Sequence, residues 1–289
     1  VIRALVKEAR PKQWLKNLLV FAAPAAAGVL DDPKELGLTI VAFVGFCLAA
    51  SGTYYWNDVL DVEADRAHPT KRHRPIASGA ISIGVARVVG TLALVGGVGI
   101  GFVANPKTAL TLAVYVALTL TYSSIWKHIA VLDLVAIAGG FVLRAIGGAF
   151  AAEVDMSTWF ILVVTFGSLF IVTGKRYAEL REMGEAAATT RATLEDYTLT
   201  YLQTVLAISC GAALVAYCLW AFETRELAET TFPWYELSIV PMLAALLRYL
   251  LVLEQGHGGA PEEIFVSDRV IQLLGLTWAV TFGLGVYAG

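Results

Sequence analysis

Cysteine and methionine are scarce in this sequence, with three of each in 289 residues, and histidine appears only four times. Cys47, Cys210 and Cys218 all lie within apolar runs, and no CxxC pair exists. A disulfide framework and a thiolate metal site are therefore excluded, leaving the thiols as buried packing residues. None of the histidines falls in an apolar run, so no histidine-based nucleophile–base pair is available there. Charge is scarce as well. Asp, Glu, Lys and Arg make up 16% of the chain, where a soluble domain carries about a quarter. The net charge of −3 is too small to indicate a nucleic-acid partner, and none is expected. No cleavable signal pattern opens the chain; it starts at Val1, and a few residues are expected to precede it. There is no low-complexity tail and no linker long enough to split domains, so residues 1–289 are expected to form one membrane domain.

What is abundant is oil. Hydrophobic residues are 57% of the chain and the mean hydropathy is +0.68. They gather in runs of roughly 17–25 residues, the span of a bilayer core. Nine transmembrane helices are predicted, at 14–30, 36–57, 82–104, 107–124, 129–152, 157–178, 198–222, 235–254 and 269–288. The expected class is an all-α polytopic membrane protein. Lys and Arg crowd the breaks on one side: Arg3 to Lys16, Arg66 to Arg74, Lys127, and Lys175 to Arg191. The other side has only Lys34, Lys107 and Arg225. The rich side is expected to face the cytoplasm, in a plasma (inner) membrane.

One stretch breaks the pattern. In NDVLDVEADRAHPTKRHRPIASG, residues 57–79, Asp58, Asp61, Glu63 and Asp65 run straight into Arg66, Lys71, Arg72 and Arg74. On a continuous helix, residues 58, 61 and 65 lie at about 0°, 300° and 340°, so these carboxylates share a face and Glu63 does not. Like charges gathered at a membrane boundary repel unless a cation sits among them. Hard oxygen donors suit Mg²⁺, which binds through one or two carboxylates plus substrate phosphates. Asn57, Asp58, Asp61 and Asp65 are the candidate metal ligands. Arg66, Lys71, Arg72 and Arg74 are candidate phosphate binders. Without the acidic partner, the same basic loop would read as a topology signal alone.

The N-D-x-x-D-x-x-x-D pattern at Asn57–Asp65 resembles the first aspartate-rich motif of the UbiA superfamily of membrane prenyltransferases. More narrowly, RPKQWLKN at 10–17, RPIASG at 74–79, YSSIWKH at 122–128, VLRAIGGAFA at 142–151 and GKRYAELRE at 174–182 resemble its decaprenyl-phosphate phosphoribosyltransferase branch. That resemblance implies transfer of 5-phosphoribose from phosphoribosyl diphosphate to a polyprenyl phosphate, for cell-wall arabinan synthesis. It also implies substrate contacts from Lys16, Asn17, Tyr122, Lys127, Arg144, Lys175, Arg176 and Tyr177. The superfamily's second D-x-x-x-D is absent here, with Arg181 and Glu185 in its place. This departure favours an anionic lipid phosphate acceptor over a neutral aromatic one. The alternatives are a prenyl transfer to an aromatic or quinone precursor, and a transporter or lipid-binding protein. The transporter reading expects polar groups spread through the spans, whereas here they gather on one side. Oligomeric state stays open, a homo-oligomer among the options. Two glycine patterns are declined as nucleotide loops. GGVGIG at 96–101 sits mid-span with no strand before it, and TGKR at 173–176 lacks the upstream spacing.

Overall fold

The computed structural model describes residues 1–183, 192–228, 232–256 and 261–287. The regular secondary structure of the described residues is all helical, and they contain no strand. Helix α1 spans Ile2–Glu8, and a 3₁₀ stretch at Pro11–Phe21 leads into the short α2, Ala22–Ala26. Then come α3 (Pro33–Leu60), α4 (Val62–Ala67), α5 (Ile83–Ala104), α6 (Pro106–Ser124), α7 (Leu132–Ala151) and α8 (Thr158–Met183). The chain continues with α9 (Leu199–Ala228), α10 (Trp234–Glu254), α11 (Pro261–Ser267) and α12 (Arg269–Tyr287).

Seven of these, α3, α5, α7, α8, α9, α10 and α12, are long and apolar enough to cross a membrane. The protein is a multi-pass membrane protein, but nine spans of that kind are not reached among the described residues. The expected helix at 14–30 is interrupted instead. Its first half is 3₁₀, Pro24 contributes no N–H, and Gly28 turns the chain at φ 70°. The expected span at 107–124 does form a 19-residue helix, α6. It carries four Thr and two Ser residues and is not among the seven.

Helix starts follow local chemistry. Asp32 caps α3 by accepting from the Lys34 N–H at 2.7 Å, with Pro33 as first residue. Asn105 caps α6 by accepting from Thr108 N at 2.9 Å and donates to the Phe150 carbonyl at 2.6 Å.

The chain divides into two compact units, residues 1–127 with 140–155, and residues 128–139 with 156–289. In the first, α3 packs most extensively on α5, and both pack on α6. A Cβ at Gly97 would come within 2.8 Å of the Ala49 nitrogen and the Gly45 carbonyl oxygen, so GGVGIG serves close helix packing. The core there holds Val20, Ala42, Phe46, Ala49, Leu112 and Tyr115. In the second unit, α8 packs on α9 and α10 on α12. Its aromatic core stacks Trp220 on Tyr217 and Phe282, and the Trp278 N–H donates to Tyr217 Oη at 2.7 Å. The outer face of α5, with Val88, Leu92 and Val95, is exposed, as a lipid-facing helix requires.

Candidate functional site

The acidic stretch does not continue as one helix. α3 ends at Leu60, Asp61 caps it with φ −92° and ψ 7°, and α4 begins at Val62. This small break separates the expected trio. Asp58 and Asp65 stay together and are buried, whereas the Asp61 side chain is 32% exposed and turns elsewhere. Glu63 points to solvent and pairs with Arg66 at 2.8 Å.

Each aspartate is held by a basic side chain. The Arg74 Nη1 donates to Asp58 Oδ1 at 3.1 Å and to Asp65 Oδ2 at 2.7 Å, bridging the two. Arg10 Nη2 donates to Asp58 Oδ2 at 2.5 Å. Lys127 Nζ lies 2.7 Å and 2.9 Å from the two oxygens of Asp61. Asn57 Nδ2 donates weakly to Asp58 Oδ1 at 3.4 Å. Packing explains the meeting of Arg74 and Asp65. Val62 and Ile76 are buried in one cluster with Tyr55, Val59, Ile81 and Ala86, which fixes the loop between them against α3 and α5.

Of the four expected basic-loop residues, only Arg74 reaches the aspartates. Arg66 donates to Glu63 and to the Ala77 carbonyl, and Arg72 is exposed beside His73. Lys71 forms no ion pair among the described residues. Among those residues, too, no three Asp, Glu, His or Cys side chains converge as a ready-made metal cage. The donor chemistry nevertheless fits a hard cation. Arg74 Nη1 already stands as a positive group between two buried carboxylates, where a divalent ion would compete for the same oxygens.

Sequence reasoning missed two members. In the sequence Arg10, within RPKQWLKN, carries no signal beyond its contribution to the Lys and Arg asymmetry. Its backbone is left-handed at φ 52° and ψ 58°, directly before Pro11, a conformation that β-carbon sterics and the following proline both disfavour. Such strain costs of order 1–3 kcal/mol and persists where surrounding contacts over-determine it. Those contacts are the Asp58 pair, stacking of the guanidinium 4.7 Å from the Tyr54 ring centre, and the Ser51 hydroxyl donating to the Ala9 carbonyl at 3.0 Å.

Glu8 is the second. It is 1% exposed, and neither oxygen finds a donor. Burial, then contact with Asp58, pushes its carboxyl up to about 8. A carboxylate has no proton to give, so the Asp58 contact becomes a hydrogen bond only when Glu8 is protonated. With Glu8 neutral, Asp58, Asp61 and Asp65 are balanced by Arg10, Arg74 and Lys127. The folded-state value lies above the ordinary 4.5, so this group's contribution is fully present below 4.5 and is lost as pH rises through about 8. Glu8→Gln is therefore expected to stabilise the protein near pH 8, by about 1–2 kcal/mol after discounting for residual solvent. It should also flatten the pH dependence above 4.5. Melting curves at pH 5 and pH 8 check this; equal shifts at both would contradict it.

Asn17 and Arg144, expected at the substrate, are bonded to each other. Arg144 donates to Asn17 Oδ1 at 2.6 Å, to the Gly140 carbonyl at 2.7 Å and to Tyr115 Oη at 2.9 Å. Both residues are buried, and Asn17 also donates to Cys47 Sγ at 3.2 Å. Their visible work is to tie α7 to α6 and the N-terminal 3₁₀ stretch. Lys16 and Tyr122 are half-buried in the same unit.

In the second unit, Arg176 is buried and committed to protein partners. It donates to Asp133 Oδ2 at 3.2 Å and to Glu179 Oε2 at 2.6 Å. Tyr197 donates to Asp133 Oδ1 at 2.6 Å and accepts from the Val131 N–H at 2.6 Å. Tyr177 donates to Glu254 Oε1 at 2.7 Å, with Arg181 also on Glu254 at 3.2 Å. Lys175 lies half-buried on α8. Glu185 and Arg191 lie outside the described residues.

Buried carboxylates braced by guanidinium and ammonium groups thus lie at the end of an apolar helix. A family model described as the UbiA prenyltransferase family matches residues 18–280. The chain belongs to that family. It is 43% identical over 287 residues to a decaprenyl-phosphate phosphoribosyltransferase of Corynebacterium glutamicum, covering 98% of this chain and 86% of that one. A decaprenyl-phosphate phosphoribosyltransferase of Mycolicibacterium smegmatis is 44% identical over 297 residues, covering 99% and 93%. Among solved structures, a UbiA homolog from Archaeoglobus fulgidus bound to DMAPP and Mg²⁺ superposes with a TM-score of 0.73 at 16% identity, covering 98% and 99%. That likeness shows the fold.

Proposed function

We propose that this protein transfers 5-phosphoribose from phosphoribosyl diphosphate to a polyprenyl phosphate such as decaprenyl phosphate, releasing diphosphate. What carries the reading is the acid–base cluster of Asp58, Asp61, Asp65, Arg10, Arg74 and Lys127 in a chain 43% identical to a decaprenyl-phosphate phosphoribosyltransferase. Asp58 and Asp65, with Asn57 beside them, would hold Mg²⁺, and Asp61, turned onto Lys127 in this structure, would join them only on leaving that lysine. When bound, that ion supplies charge neutralisation for the departing diphosphate. Arg74 offers a planar fork to phosphate oxygens, and Arg10 a second from the other side of Asp58. These donors are fixed before the reaction by buried ion pairs and packing, so they need little reorganisation as charge builds on the leaving group.

As the C1–O bond loosens, the sugar develops oxocarbenium character. The lipid phosphate attacks C1 from the opposite face, turning the α-linked donor into a β-linked product. No general base is required, because the attacking phosphate is already ionised. The Lys and Arg asymmetry supports a cytoplasmic position for the cluster, in the plasma membrane. The product would supply arabinan synthesis in the cell wall.

The deciding experiment mixes purified protein, Mg²⁺, decaprenyl phosphate and labelled phosphoribosyl diphosphate, with product analysis. The expected result is a labelled lipid-linked phosphoribose whose formation stops with chelator. Consumption of a prenyl diphosphate with an aromatic acceptor, and no turnover of the labelled sugar, would replace this reading with prenyl transfer.

A further inference from the structure

The turn that carries Lys127 has little packing of its own. Between α6 and α7, Ile125, His128, Ile129 and Val131 are exposed, and a 3₁₀ turn at Trp126–His128 holds the lysine. Its course is therefore set by its two ends and by the Asp61 pair. At the front, the Ile125 N–H donates to the Thr121 carbonyl at 2.8 Å and continues α6. At the rear stands Val131, four residues after Lys127, with φ 69°. A β-branched side chain disfavours that left-handed region by about tenfold.

Val131 is kept there from both sides of its backbone. Its carbonyl accepts from the Val135 N–H at 3.0 Å, as at any helix start. Its N–H donates to Tyr197 Oη at 2.6 Å, and this bond is particular to the site. The single proton of Tyr197 goes to Asp133 Oδ1 at 2.6 Å, so the oxygen faces Val131 as an acceptor. Arg176 Nε holds the other oxygen of Asp133 at 3.2 Å. Tyr197 itself is buried, its ring stacked 5.7 Å from that of Tyr201. A glycine at 131 would keep the same turn unaided. With valine, the turn depends on one hydroxyl 66 residues away.

We propose that Tyr197 is a positioning residue for Lys127. Its hydroxyl holds Val131 in the left-handed conformation, and that conformation fixes where the turn delivers the lysine ammonium. Lys127 then meets Asp61 at 2.7 Å and 2.9 Å. Without the hydroxyl, Val131 relaxes to negative φ and the exposed turn carries Lys127 away. The phosphoribosyl-transfer reading enters only as what Lys127 serves; the placement does not need it.

The test uses the full-length protein in detergent and compares Tyr197→Phe, Val131→Gly and the double variant. The first reading is the rate at which a water-soluble acetylating reagent modifies Lys127, followed by peptide mass spectrometry with exposed Lys12 and Lys34 as references. The second is turnover of labelled phosphoribosyl diphosphate. Tyr197→Phe is expected to raise Lys127 modification about fivefold and lower turnover about tenfold, as valine abandons the conformer. Val131→Gly alone should leave both readings within about twofold of the wild type. The Val131 side chain is 46% exposed, so little packing goes with it. Added to Tyr197→Phe, the glycine should bring both readings back to within about threefold, because it needs no hydroxyl to stay left-handed. A tyrosine that merely braces the fold gives another pattern: a lower melting temperature, with losses that Val131→Gly does not relieve. That pattern overturns the proposal, and so does failure of Tyr197→Phe to fold in both backgrounds. Lysine modification requires no substrate, which separates the two claims. Modification that shifts and recovers in a protein without sugar turnover sinks the donor assignment alone. Sugar turnover with Lys127 modification unchanged in Tyr197→Phe sinks the positioning role alone.

Discussion

Asp58→Asn is expected to lower turnover by about 10³-fold with the protein still folded. Asp58 is 1% exposed and receives Arg10 on one oxygen and Arg74 on the other. The amide keeps the size and one acceptor oxygen, so most of the local packing survives. What disappears is a full negative charge in a site screened from water, where charge counts for far more than at a surface. A metal would lose one of its two buried carboxylates, and Glu63, which faces solvent, cannot replace it. Arg74 keeps Asp65, which limits the structural damage. Rates at saturating Mg²⁺, with a melting curve on the same sample, make the check. Activity within tenfold of wild type would remove Asp58 from the proposed machinery.

Asp133→Ala carries the second large effect, on stability. Asp133 is fully buried and answers both Arg176 and Tyr197, and Tyr197 in turn receives the N–H of Val131, whose backbone is held at φ 69°. Removing one member of a buried ion pair costs about 3–5 kcal/mol, because the remaining charge is left without a partner. Arg176 retains Glu179 at 2.6 Å, so the lower end of that range is expected. Arg176→Met placed on top of Asp133→Ala should recover more than half of the loss, since the fully buried guanidinium is then gone and Glu179, at 18% exposed, still reaches solvent. Denaturation of the two variants in the same detergent compares them. A double variant no more stable than the single one would show that the pair's charge is not what matters.

Much of this protein was legible from its sequence because apolar length is a one-dimensional signal. Seven of the nine expected spans match helices of membrane-crossing length and hydropathy to within a few residues. The other two show where that signal weakens. Pro24 and Gly28 interrupt the first, and four Thr and two Ser lie within α6. The acidic motif and its basic loop could likewise be found by spacing. Which basic residue meets which acid could not be. Arg66 and Arg74 look alike in sequence, yet Arg66 spends its guanidinium on Glu63 and Arg74 bridges two aspartates.

The sequence by itself determined the class: a polytopic helical protein with one concentrated patch of opposite charges, since hydrophobic length and local charge need no knowledge of distant neighbours. Only the tertiary structure decided the partners. Arg10 and Asp58 are 48 residues apart, Lys127 and Asp61 66 apart, and Arg144 and Asn17 127 apart. Such pairs are set by how helices pack and where a helix breaks, as between Leu60 and Val62. A one-residue interruption there turns Asp61 away from Asp58 and Asp65, because the bearing of every later side chain depends on the turns before it.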